Sequence, residues 1–373
     1  MRVVHVSEVT SGGVRELLAN YAEDQVARGF DVHVIGDETL SELPGTHHLW
    51  RGSRRRPESA IRDLSRLNRI LRDLGPDVIH LHSFFAGLFG RLHSRRKPGF
   101  PIVYQPHGWA FDALDAAAAR FAVASFERWA SRRTDLLVTN CEDEIEEAHA
   151  EGIEIPAVAL GMPIDLEWFI PGVATEREAL RTRLGVDDRA ALVCIGRIVR
   201  QKGYDILVRE WERQPIPDAV LYLVGAGKTD RLAAMAPTEW ARTIHAVGET
   251  DDPRAWLQAA DLMLLPSRYE GQAIAVSEAM ACGLPVVAFA VNGARAAIVD
   301  GGDPAGAVVA RGDAETLLAE ARRRIDDPLL LKSEATVART RAERDNVAGT
   351  VFDRLVKAYE SAIEAHGTRS GAK

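Results

Sequence analysis

The stretch Leu264-Leu265-Pro266-Ser267-Arg268-Tyr269-Glu270-Gly271-Gln272-Ala273-Ile274-Ala275-Val276-Ser277-Glu278-Ala279-Met280-Ala281-Cys282-Gly283 decides how the chain is read. The run from Asp261 to Leu265 has the length and apolarity of a buried strand. Pro266, Ser267 and Gly271 make a loop; a short helical segment follows and ends near Gly283, with Pro285 barring its continuation. Such a turn aims unpaired backbone N–H groups beyond the strand end, and the helix dipole favours an anion there. Gln272, Ala273 and Ile274 are the residues that begin the helix. Glu270 and Glu278 stand eight positions apart, one on the loop and one on the helix. Neither carboxylate holds a phosphate, but each accepts hydrogen bonds from hydroxyls flanking one. The implied ligand is a diphosphate at the helix N-terminus, with a sugar on one flank and a ribose on the other.

The rest of the chain repeats this strand–helix rhythm. Strands are expected at Arg2–Ser7, Asp31–Ile35, Val78–His82, Ile102–Gln105, Leu136–Thr139 and Ala157–Leu160 in the first half. In the second they fall at Ala191–Ile195, Val220–Val224, Thr243–Val247, Asp261–Leu265, Pro285–Ala288 and Ala307–Ala310. Alternation with amphipathic helices predicts an α/β protein with parallel sheets covered on both faces. The 373 residues suffice for two domains with cores of their own. The proline- and glycine-rich stretch from Gly161 to Gly172 reads as the linker. The expected limits are 1–170 and 171–350, with 351–373 as a terminal helical segment. Net charge is −8, which argues against a nucleic-acid partner. Three scattered cysteines, Cys141, Cys194 and Cys282, fit a reducing compartment and no disulfide. No apolar run reaches the ~18 residues a spanning helix needs, so the reading is cytoplasmic.

Other stretches carry chemistry. Ser11-Gly12-Gly13-Val14 follows the first strand and opens a helix to about Arg28; glycine there permits close approach of a ligand, although a plain tight turn explains it equally well. His107, in Gln105-Pro106-His107-Gly108-Trp109, lies on a loop after a strand, the edge where open α/β sheets bind ligands. An imidazole there serves a sugar hydroxyl or a developing charge. His80 and His82 alternate on one strand and are read as packing and strand-end hydrogen bonding rather than as a metal pair. Arg197 and Lys202, in Gly196-Arg197-Ile198-Val199-Arg200-Gln201-Lys202-Gly203, put two cations at a strand end, as a leaving diphosphate requires. Gly225-Ala226-Gly227-Lys228 lacks P-loop spacing and makes room for a nucleotide; Gly248-Glu249 stands near its base. Two basic runs, Arg51 to Arg56 and Arg91 with Arg95, Arg96 and Lys97, read either as solvated surface or as a patch for anionic lipid. Arg62, Arg66 and Arg69, on the polar face of a helix from Glu58 to Leu74, share that reading.

The Glu270-x7-Glu278 pair with Ala-Met-Ala-Cys-Gly-Leu-Pro-Val-Val-Ala, the Gly-Arg-x-x-x-x-Lys-Gly order and His107-Gly108 together resemble retaining GT-B glycosyltransferases of family 4. The segments Val78–His82, His107–Phe111 and Thr134–Asn140 are similar to transferases that act on undecaprenyl-diphosphate-linked sugars. The resemblance implies the GT-B fold, two doubly wound Rossmann-like domains facing across a cleft, with a last helix within Val351–Ala365 crossing back onto the first. It implies Glu270 and His107 at the donor sugar, Glu278 on the ribose, and Gly13, Arg197, Lys202, Gln272, Ala273 and Ile274 around the diphosphate. Two departures stand out: Ala273 replaces a common glycine, and Asn292-Gly293-Ala294-Arg295-Ala296 lacks the family's glutamate.

The expected activity is retaining, metal-independent transfer of a hexose or N-acetylhexosamine from a nucleotide diphosphate sugar, with a UDP-sugar ahead of GDP-mannose. The acceptor is a hydroxyl on a glycan or lipid-linked saccharide, at the inner face of a membrane. No cofactor or metal is implied, since no Asp-x-Asp motif ends a strand. The rival readings are a sugar-nucleotide epimerase of the same plan and a non-catalytic nucleotide-sugar binder.

Overall fold

The apolar runs fold as strands because a central strand, covered on both faces, keeps no polar side. The computed structural model describes residues 1–52, 57–92 and 99–371. The chain forms two compact units, Met1–Pro163 with Gly349–Lys373, and Ile164–Ala348.

The first unit carries β1 (Arg2–Ser7), β2 (Asp31–Gly36), β3 (Thr46–Leu49), β4 (Val78–His82), β5 (Ile102–Gln105), β6 (Leu136–Thr139) and β7 (Ala157–Ala159). All pair in parallel in the order β3-β2-β1-β4-β5-β6-β7. Val4, Val6, Ile79, Leu81, Ile102 and Leu137 of the sheet pack with Leu67, Leu71 and Phe89 of its helices. β3 was not expected: Thr46-His47-His48-Leu49 has no apolar run, because an edge strand paired on one side only needs none. The helix Ala348–Gly371 serves this unit from Gly349 on. Its Tyr359 hydroxyl lies 2.7 Å from His80 Nδ1, and Asp353 pairs with Arg28 at 2.8 Å.

The second unit carries β8 (Ala190–Ile195), β9 (Ala219–Val224), β10 (Ile244–Gly248), β11 (Leu262–Leu265), β12 (Val286–Phe289) and β13 (Gly306–Val309). They run in parallel in the order β10-β9-β8-β11-β12-β13. Leu192, Leu221, Leu262, Leu264, Val287 and Phe289 meet Leu207, Trp211 and Leu317 in its core. In each sheet the strand order reverses once, between β1 and β4 and between β8 and β11. Loops diverge at such a point and leave room for a ligand at the carboxyl ends.

One surface reading needs correction. Arg91 is not a solvated base: it is fully buried, paired with Glu127 at 2.8 Å, and its guanidinium lies 3.8 Å from the Tyr104 ring centroid. A buried guanidinium keeps its charge only with such partners. Residues 53–56 and 95–97 of the two basic runs lie outside the described residues. Arg62, Arg66 and Arg69 are exposed on the helix Pro57–Leu74 and, with His47 and His48, line a groove of about 620 Å³. Among the described residues no helix is long and apolar enough to cross a membrane.

Candidate active site

In the second unit the loops after β8 and β11 meet at the switch point. Gly203, at φ +67°, is forced by that meeting: a Cβ there would stand 1.9 Å from the Pro266 carbonyl oxygen. The Arg268 N–H donates to the Gln201 carbonyl at 2.7 Å, and its guanidinium grips Asp205 at 2.7 and 2.8 Å. This stitching delivers Lys202, at the end of the short turn Arg200–Lys202, to Glu270. Lys202 Nζ donates to Glu270 Oε1 at 2.7 Å; Ser267 Oγ donates to the same oxygen at 2.7 Å and Gln201 Nε2 to Oε2 at 3.3 Å. Glu270 is only 7% exposed, so the lysine compensates a carboxylate taken out of water. The direct contact between these two was not anticipated. The sequence pointed each at a different part of one ligand.

Glu278 sits nearly buried on the helix Ile274–Ala281, one turn in. Among the described residues no side chain caps that helix, and its first turn holds no acid, so the cap residue Ala273 and the first helical residue Ile274 keep N–H groups outside the helix ladder, with Gln272 just before them. Gln272 Oε1 is buried without a partner among the described residues. Arg197 is exposed on the loop after β8 and takes no part in the Lys202–Glu270 pair. Gly225 to Lys228 follow β9, and Gly248 ends β10 with Glu249 next, on the same edge of the sheet.

The strand ends of the first unit are built differently. Gly12, at φ 73°, precedes the helix Gly13–Ala27, which again has no side-chain cap, so Gly13 offers its backbone directly. Glu8 accepts from the N–H groups of Phe85 and Ala86 at 2.9 and 2.8 Å, and burial pushes its carboxyl up to about 7. Ser83 and His107, immediately after β4 and in the loop after β5, hold φ of 68° and 55°, conformations that non-glycine residues seldom adopt and that gather at functional sites. His107 is partly buried. Its loop is fixed by Glu144, whose two oxygens accept from Gly108 N at 2.6 Å and Asn140 N at 2.8 Å. Burial pushes the Glu144 carboxyl up to about 7 as well. Asn140 Oδ1 in turn accepts from Gln105 Nε2 at 2.7 Å.

Sequence reasoning missed Glu144 because Glu142-Asp143-Glu144-Ile145-Glu146-Glu147 reads as a solvated acidic face. The signal was its place: third residue of the helix Glu142–Ala150, where a glutamate reaches back to the cap. His5 and Gln25 were missed too. His5 pairs with His80 in the β1–β4 register, so the three imidazoles of His5, His80 and His82 share one face, a ring nitrogen of each within 4.8 Å of the others. His5 Nδ1 lies 2.9 Å from His82 Nε2, and His82 Nδ1 lies 3.0 Å from His107 Nε2. Burial drives these rings toward neutrality: His5 falls to about 4, His107 to about 3, and His80 and His82 well below the usual histidine range.

Two doubly wound parallel sheets, each with its loops gathered at a switch point, define the GT-B class. The Anabaena HepE structure, solved in complex with UDP-glucose, superposes with a TM-score of 0.81 over 97% of this chain and 100% of that one, at 20% identity. The model for glycosyl transferases group 1 matches residues 189–327, and that for the glycosyl transferase 4-like domain matches residues 12–160. A D-inositol 3-phosphate glycosyltransferase of Catenulispora acidiphila is 32% identical over 314 residues, 77% of this chain and 73% of that protein. One from Xylanimonas cellulosilytica is 31% identical over 60% of this chain, which there spans 58% of the relative's length. An Escherichia coli UDP-Gal:alpha-D-GlcNAc-diphosphoundecaprenol alpha-1,3-galactosyltransferase is 28% identical over 62% of each. The chain belongs to the group 1, family 4 glycosyltransferases.

Proposed function

We propose that the chain transfers a hexose or N-acetylhexosamine from a UDP-sugar to a hydroxyl of a lipid-linked saccharide, with retention at the anomeric carbon. The observation that carries the donor half is the Lys202–Glu270 pair beside an uncapped helix N-terminus at the β8–β11 switch point. Lys202 has three N–H donors and needs only one for Glu270, so it shares the rest with a diphosphate. Arg197 and the N–H groups of Gln272, Ala273 and Ile274 add to the positive field, and Gly13 approaches the same phosphates in this reading. Stabilising the departing diphosphate is the main catalytic contribution. Glu270, held by Lys202 and Ser267, turns toward a sugar hydroxyl; Glu278 accepts from the ribose; His107 contacts the transferring sugar.

The acceptor half rests on the similarity to the diphosphoundecaprenol galactosyltransferase and on the exposed Arg62, Arg66 and Arg69, which suit an anionic lipid surface. The protein cations supply the charge that neutralises the diphosphate, so chelators should leave the rate unchanged. The test is a panel of nucleotide sugars incubated with bacterial lipid extract, with and without EDTA, read by mass spectrometry. A UDP-sugar-dependent mass increment of one hexose or N-acetylhexosamine on a lipid-linked saccharide is expected. Interconversion of UDP-N-acetylglucosamine with its epimer, with no acceptor product, would instead make the chain an epimerase.

A further inference from the structure

Three histidines of the first unit, with Gln25, form a continuous line of hydrogen-bonding contacts. Gln25 Oε1 lies 2.9 Å from His5 Nε2, His5 Nδ1 lies 2.9 Å from His82 Nε2, and His82 Nδ1 lies 3.0 Å from His107 Nε2. The His82 and His107 rings are 14° apart in plane, and those of His5 and His82 are 28° apart. These are edge-to-edge contacts between nearly coplanar imidazoles, the geometry of ring-to-ring hydrogen bonds. His5 and His82 are fully buried.

A neutral imidazole has one donor and one acceptor nitrogen. In a line of neutral rings, the tautomer of one therefore dictates the tautomer of the next. Gln25 sets the first. Its amide nitrogen donates to the Tyr359 hydroxyl at 3.4 Å, and that hydroxyl oxygen lies 2.7 Å from His80 Nδ1. The Gln25 carbonyl oxygen is left for His5, so His5 carries its proton on Nε2. His5 Nδ1 then accepts from His82 Nε2–H, and His82 Nδ1 accepts from His107 Nε2–H.

We infer that Gln25, His5 and His82 are positioning residues that hold His107 in the Nε2–H tautomer, so that its Nδ1 is a hydrogen-bond acceptor for a ligand hydroxyl. His107 Nδ1 has no partner among the described residues. The ligand group it selects is a hydroxyl that donates; an anionic oxygen would meet a lone pair and be refused. The line orients and does not conduct, because it ends on an amide, which cannot take up the proton that a transfer along the rings would deliver. This deepens the proposed function by assigning the sense of one contact, and rests on it for the identity of that hydroxyl as one borne by the transferring sugar or its acceptor.

The test is long-range ¹H–¹⁵N correlation of the whole protein labelled with ¹⁵N-histidine at pH 7. His107 and His82 are assigned from His107→Ala and His82→Phe. Wild-type His107 is expected as the Nε2–H tautomer. Gln25→Met, close to the original in shape but without the acceptor, is expected to convert His107 to a tautomer mixture with its loop unchanged, and to lower kcat/KM roughly tenfold, the worth of one oriented hydrogen bond. The Nδ1–H form in the wild type, a charged His107, or a His107 tautomer indifferent to Gln25→Met would each overturn the inference. So would one equivalent of a transition metal on the purified protein that is lost in His80→Phe, since a metal on His5, His80 and His82 would occupy the bonded nitrogens. The tautomer is read without turnover. Failure of this inference with transfer intact is therefore distinct from failure of the proposed function, in which no variant or wild type transfers sugar.

Discussion

The two strand-end edges share a topology and differ in charge. At the β8–β11 switch the second unit places an ion pair, Lys202 on Glu270, beside an open helix N-terminus. At the β1–β4 switch the first unit places four imidazoles lowered by burial and two carboxyls, Glu8 and Glu144, raised by it. One edge keeps charge and compensates it; the other drives its titratable groups toward neutrality and binds them to one another. Under the proposed function the difference matches two tasks, stabilising a charged leaving group and orienting neutral hydroxyls. The same fold serves both because the βα loops, not the sheet, carry the chemistry.

The sharpest way to break this contrast is Lys202→Ala. Under the proposed function it removes a cation from the diphosphate, and it strips Glu270 of its cationic partner, so kcat should fall by about 10²–10³. His107→Ala removes one oriented neutral contact and should cost only about 10–10² in kcat/KM. Steady-state kinetics with the same donor compares the two directly. An equal or larger loss at His107 would mean that the neutral edge, not the charged one, dominates catalysis.

Stability gives a smaller test. Gly203→Ala drives a Cβ into the Pro266 carbonyl and should lower Tm by several degrees, with loss of donor affinity. Gly75→Ala, at φ +55° with open space around it, should cost only about 1 kcal/mol. Calorimetry on both variants checks the difference.

The smallest effect expected is on pH. Histidines whose folded pKa is depressed bind protons in the unfolded chain first, so the stability they contribute is complete above about 6.5 and is lost as pH falls toward about 4 for His5 and about 3 for His107. Glu8 and Glu144, raised to about 7, act in the opposite sense: their contribution is present below 4.5 and lost as pH rises through 7. With His48 also lowered and Glu127 also raised, five imidazoles outnumber three carboxyls among the described residues of the first unit, so between pH 6.5 and 4.5 it should lose stability on acidification. The second unit contains a single histidine, His245. Hydrogen exchange at pH 7 and pH 5 should show protection falling first in β1, β4 and β5. Equal loss in β8 and β11 would contradict this account.

Much of the fold was legible because buried parallel strands write themselves as apolar runs. The strands around both switch points, β1, β4, β8 and β11, stand within a residue or two of their expected limits. β3 was not legible, since an edge strand carrying two histidines has no such run. Motif spacing led to Glu270, Glu278, Lys202 and His107, but not to the Lys202–Glu270 contact, which depends on how tightly Gly203 lets two loops pack. Gln25, His5 and Glu144 stayed hidden because their roles arise from pairing across strands and helices far apart in sequence. Arg91 misled for the same reason: its partner Glu127 is 36 residues away.

The most direct test is a crystal structure of the full chain with UDP. The account predicts the diphosphate at the N-terminus of the helix Ile274–Ala281, within reach of Lys202 and Arg197, with ribose hydroxyls donating to Glu278. UDP bound away from the carboxyl ends of β8 and β11, with Glu278 untouched, would contradict it.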